Sequence, residues 1–84
     1  MLALAPGYKF QWEAAQESWV LLYPEGMVQL NPSAGEILQR CDGSRDAAAI
    51  VADLERAFPA ADVADDVREF LEVARGNGWI IERD

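Results

Sequence analysis

The chain has 84 residues, is 51% hydrophobic, and carries 15 acidic against 7 basic residues, a formal net charge of −8. That is enough for one compact domain spanning 1–84, whose single core supplies on the order of 3–5 kcal/mol just below this length. The acidic balance repels nucleic acid, and the absence of histidine removes Ser-His and Cys-His chemistry, imidazole metal ligands and the easiest general base near neutral pH.

The opening stretch, MLALAPG, lacks the basic start and apolar length of a signal peptide. No later stretch has the run of about 18 apolar residues that spans a bilayer, so a cytoplasmic, membrane-free protein is expected. Tyr8, Phe10 and Trp12 then alternate with Lys9 and Gln11, the period of a strand with one packed and one wet face. Ser18 to Tyr23 is apolar on both faces and reads as the central strand. Pro24-Glu25-Gly26 follows as a three-residue turn in which Gly26 supplies a positive φ. Met27 to Leu30 returns as a third strand at the sheet's edge, with one row of N–H and C=O groups unpaired. Replacing Val28 by proline is expected to remove a donor from that edge or to distort the strand.

From Asn31 the period becomes helical. Asn31 caps, Pro32 suits the first helical position, and Ser33 with Glu36 also matches a capping box, so the start is fixed only to within a residue or two. Ala34, Ile37, Leu38 and Cys41 form one apolar stripe over about 32–42, closed by Gly43 as the residue after the cap. Ala47, Ile50, Val51, Leu54 and Phe58 make the stripe of a second helix, about 45–58, stopped by Pro59. Asp62 caps a third, about 63–76, whose stripe is Val67, Phe70, Leu71 and Ala74. Trp79 to Ile81 is a last extended piece. The order predicts an α+β fold: a three-stranded antiparallel N-terminal sheet, about 8–30, followed by a three-helix bundle, similar to a winged helix-turn-helix.

The candidate chemistry is sparse. The glycines show neither GxGxxG nor P-loop spacing. Gly35, inside the first helix, costs about 1 kcal/mol relative to alanine unless another element, with the sheet as candidate, packs closely there. Cys41 lies in the apolar stripe as a small core residue, and most of the area of Trp12, Trp19 and Trp79 is assigned to the core. Asp65, Asp66, Glu69 and Glu72 crowd the third helix; without histidine or a calcium loop they read as a solvated acidic face, not a metal site. In a winged helix that element would read DNA, yet Asp62 to Arg75 holds five acids against Arg68 and Arg75. The DNA function is therefore excluded. What remains is an apolar edge strand without the lysine, proline or cover that normally blunts one, so a peptide or another subunit is expected to cover it. The open edge also permits a strand-paired or domain-swapped homodimer.

The stretch LLYPEGMVQLNPSAGEILQRCDGSRDAAAIVADL, with LAPGYKF before it and VREFLEVARGNGWI after it, resembles the PqqD family of pyrroloquinoline quinone (PQQ) biosynthesis over nearly the whole chain. The most specific parts are Pro24-Glu25-Gly26, Leu30-Asn31-Pro32, Ala34 to Leu38 and Asp42-Gly43, while the third helix matches more loosely. The resemblance implies a peptide chaperone, similar to the recognition domains of ribosomally made, modified peptides. It binds a precursor peptide, PqqA, as an added strand and delivers it to the radical SAM enzyme PqqE, with neither catalysis nor a cofactor of its own. The family's architecture implies a peptide site along Met27, Val28, Gln29 and Leu30, against a third helix where Val67, Arg68, Phe70, Leu71 and Arg75 are the candidates. The alternatives are a leader-binding protein for another such product, for example a lasso peptide, and an acidic winged-helix regulator that binds a protein.

Overall fold

A computed structural model of the chain describes residues 1–83. Strands β1 (Leu2–Leu4), β2 (Lys9–Glu13), β3 (Ser18–Tyr23) and β4 (Gly26–Gln29) precede helices α1 (Pro32–Gln39), α2 (Ala47–Ala57) and α3 (Ala64–Gly76). The chain then returns as β5 (Ile80–Glu82). Strands β2, β3 and β4 form the expected antiparallel meander with β3 central, and three helices follow it.

The register explains the sheet's two faces. Phe10, Leu21 and Val28 lie opposite one another and pack on the helical core, as does Trp19. Alternation turns Lys9, Leu22 and Met27 to the other face. Val20 and Leu21 are both fully buried, as a central strand requires. The core itself joins Leu21 and Leu30 to Ile37, Leu38, Ile50, Leu54, Val67 and Leu71. No helix among the described residues is long and apolar enough to cross a membrane.

Four local expectations need correction. Gly26 does not carry the hairpin: its φ is not positive, and it already pairs with Tyr23, so the loop is only Pro24-Glu25. Proline at the first loop position excludes the mirror-image turns, and Glu25 has no positive φ, which excludes type II as well. Gly43 is not the residue after the α1 cap, because α1 ends at Gln39 with Arg40 as its C-cap. Gly43, at φ +88°, instead donates its N–H to the Leu2 carbonyl, 2.9 Å, beside an Ala3–Asp42 bridge. Asp62 does not cap α3; Val63 occupies that place and no side chain bonds the helix start. Trp12 is not core: it is 51% exposed.

The opening stretch, to which the pattern gave no element, is structural. Leu2 and Ala3 are buried, and β1 pairs with β5 in a second, two-stranded sheet. Leu2 also donates to the Arg45 carbonyl, and Ala5 to that of Trp79, at 2.8 and 2.9 Å. The segment from β1 to Ala5 is thereby fastened to the α1–α2 turn and to the exit of α3, and β5 is held to it by pairing.

Candidate functional site

Only one row of β4's backbone groups faces β3. Leu30 donates to the Trp19 carbonyl at 2.9 Å, and those residues are opposite in the register that also pairs Leu21 with Val28 and Tyr23 with Gly26. In an antiparallel ladder bonded and non-bonded pairs alternate. Val28 and Leu30 therefore spend their N–H and C=O groups on β3, while Met27 and Gln29 turn theirs to the open edge. The expectation for Val28 is corrected: a proline there would break the ladder, and the free edge donors belong to Met27 and Gln29.

The edge is apolar on the helical side and mixed on the other. Met27, 43% exposed, and Gln29 stand on the outer face, and Val28 is half-buried against the core. A strand added here would pair its backbone with Met27 and Gln29. Its residues opposite Val28 and Leu30 would point toward the helical side, since paired residues share a face.

The α3 candidates separate by burial. Val67 and Leu71 are only 3% and 5% exposed and, like Leu30, belong to the core, so they support the surface without forming it. Phe70 is half-buried and lies at 6.4 Å, ring to ring, from Trp79. Arg68 is exposed, its nearest acid being Asp65 at 3.9 Å. Arg75 is tied to β5 through a 3.0 Å bond to Glu82, which also holds the N-terminal ammonium at 3.1 Å. Of the candidates, Met27, Val28 and Gln29 on β4 and Arg68 and Phe70 on α3 keep accessible surface outside the core and the β5 ion pair.

The rest of the molecule offers little for catalysis. Cys41 is buried, and desolvation, reinforced by Asp42, pushes its thiol up to about 11. Among the described residues no three carboxylates or thiols gather where a metal could be held. Asp53 is held below its ordinary value first by the hydrogen bond from Arg40, and Asp42 by that from Ser44; both fasten the helical layer and its turn.

Sequence reasoning missed Trp12 as a surface residue and Glu17 as a special one. Glu17 is the single non-glycine residue with a positive φ, 50°, among those described. The alternation of Trp12 with polar neighbours resembled that of Tyr8 and Phe10; the signal that set it apart was its place beside the polar β2–β3 loop, at the end of the sheet.

Comparison with known proteins matches this architecture. The family model described as coenzyme PQQ synthesis protein D (PqqD) matches residues 18–80. A PqqA binding protein 1 of Pseudomonas putida is 56% identical over 77 residues, covering 90% of this chain and 85% of the relative. A PqqA binding protein of Azotobacter vinelandii is 59% identical over 78 residues, covering 92% and 85%. One of Methylococcus capsulatus is 50% identical over 82 residues, covering 98% and 88%. The fold is that of the PqqD truncation of Methylobacterium extorquens PqqCD, a ribosomal-peptide recognition element solved by NMR, with a TM-score of 0.76 at 21% identity over 96% of this chain and 88% of that one. With the family pattern running from β3 into β5 and relatives matched nearly end to end, the chain belongs to the PqqD family.

Proposed function

We propose that this protein is a non-catalytic chaperone of PQQ biosynthesis that binds the precursor peptide PqqA as a fourth strand on β4 and presents it to the radical SAM enzyme PqqE. The observation that carries this reading is the outward row of backbone groups on Met27 and Gln29, on a strand without lysine or proline that no other strand pairs among the described residues. Relatives more than half identical to the chain are themselves PqqA binding proteins, which supports the choice of peptide. Val28, Phe70 and Arg68 would flank the added strand, over the floor made by Leu30, Val67 and Leu71, and Arg75 would hold β5 against α3.

The gain is entropic and local. A flexible precursor loses chain entropy before it can react, and a chaperone that has already ordered it brings it to the enzyme at raised effective concentration. With a ribosomally made substrate, that task belongs to the cytoplasm. A strand-paired homodimer would occupy the same edge, so peptide and self-association would compete. Calorimetry with synthetic PqqA tests the reading: saturable one-to-one binding that strengthens the chain's association with PqqE is expected. Heat-silent mixing, with PqqE binding indifferent to peptide, would contradict it.

A further inference from the structure

A second recognition feature lies beside the end of β4. Trp12, Trp19, Leu30 and Pro32 line a cavity of about 230 Å³, with Glu17 and Glu36 as its charged members. Small-molecule pockets usually measure roughly 300–1,000 Å³, so this volume suits one long side chain. Trp12 meets Trp19 edge-on at 5.5 Å and leaves half of its surface in solvent, an apolar ring with a polar N–H of the kind enriched at interfaces. Trp19 is immobilised beneath it by stacking on Phe10, 4.4 Å at 8°, and by its approach to Gly35.

The charges select the guest. The lining has two carboxylates and no base, in a chain of net charge −8. Glu36 is shared with Arg40 at 3.7 Å, whereas Glu17 makes no ion pair among the described residues. Glu17 is also kept in the left-handed region, where an L-residue costs roughly 1–2 kcal/mol and glycine would not. The β2–β3 loop itself demands that conformation, since Glu17 N–H bonds the Ala14 carbonyl just before the Glu13–Ser18 pair, so the turn fixes where the Glu17 carboxylate starts. The start of α1 opens nearby and would favour an anion, but Asn31 already takes the Ala34 and Gly35 N–H groups, at 2.8 and 3.0 Å. Ser18 also lines the cavity and has a buried hydroxyl without a partner, yet strand alternation turns it from Trp19's face, so it is not counted as a ligand.

We infer that this cavity receives a lysine or arginine side chain of the docked peptide, its stem against Trp12, Leu30 and Pro32 and its cation between the indole and Glu17. The inference rests on the strand-addition reading, because Leu30 joins the cavity to the strand on which the peptide is placed. Such a contact would fix the peptide's register, which backbone bonds to Met27 and Gln29 leave free to slip.

The test follows the Trp12 indole N–H and the Met27 and Gln29 amides of the full chain by NMR. The titrants are PqqA and versions in which each lysine or arginine it carries is changed singly to glutamine. One such change should abolish the Trp12 shift and weaken binding roughly threefold to tenfold, with the edge shifts kept. The same change should cost nothing further in Trp12→Leu or in Glu17→Gln, which preserves the turn. Edge shifts without any basic residue coupled to Trp12 or Glu17 would overturn the pocket and leave strand addition standing. If PqqA produces no edge shifts, the strand-addition reading fails and the docked-peptide inference fails with it. N-acetyl-lysine N-methylamide then reports on the pocket alone: a Trp12 shift that exceeds the norleucine analogue's and vanishes in Glu17→Gln would keep the cation site, and equal shifts would remove it.

Discussion

Trp19 closes over Gly35: a methyl group added at Gly35 would lie 2.6 Å from Trp19 Cδ1 and 3.2 Å from its Cβ. The helical penalty of this glycine, about 1 kcal/mol against alanine, is therefore the condition for seating α1 on β3. Gly35→Ala should lower stability by about 1–3 kcal/mol in urea unfolding, because overpacking outweighs the better propensity. A stabilised variant would show that the α1–β3 contact is loose. The same substitution should disturb the Trp12 environment, since Trp19 cannot yield without moving its neighbour.

The ladder parity separates two proline substitutions that look equivalent. Gln29→Pro removes only an outward donor, and should shift stability by no more than about 1 kcal/mol while weakening peptide binding several-fold. Val28→Pro strands the buried Leu21 carbonyl and should cost about 2 kcal/mol or more of fold stability. Equal stability of the two variants, measured by thermal and urea unfolding, would refute the assignment of the edge groups.

The acid limb of stability depends on Asp53. Its carboxylate joins α2 to Arg40 at the end of α1 and accepts a second bond from Arg56 at 3.2 Å. Because Arg40 lowers its folded pKa, the link stabilises fully above the unfolded value and is lost as pH falls through the folded one. Asp53→Asn should therefore lie below the wild type above about pH 4 and converge with it in stronger acid. Parallel curves would remove Asp53 from the acid transition.

Burial makes Cys41 inert. With its thiol near 11 instead of 9, the thiolate fraction at pH 8 falls roughly a hundredfold. Iodoacetamide should modify the folded chain at least that much more slowly than the urea-unfolded one. Similar rates would place Cys41 at the surface.

Where a single local rule decided the outcome, the residues were legible. The period of two at Phe10, the cap at Asn31 and the stripe through Ile37 and Leu38 all stand in the structure, and so does the β4 edge. Reading failed where a distant segment decided. Nothing near Gly43 shows that Leu2 will take its N–H, and nothing in Leu2-Ala3-Leu4 shows a partner at Ile80 to Glu82. Asp62 had the chemistry of a cap, but the chain enters α3 one residue later, with Asp65 and Asp66 in its first turn answering the helix dipole instead. The family resemblance gave a list of site residues. Separating the buried Val67 and Leu71 from the accessible Arg68 and Phe70 required the packing of α3 on the core.

Strand addition is tested most directly at two amides. In isotopically labelled protein titrated with PqqA, Met27 and Gln29 should shift most within β4 and gain protection from hydrogen exchange, while Val28, already bonded to Leu21, should gain little. Saturable binding that leaves the Met27 and Gln29 amides unprotected would contradict the account, because the peptide would then be held somewhere other than the open edge.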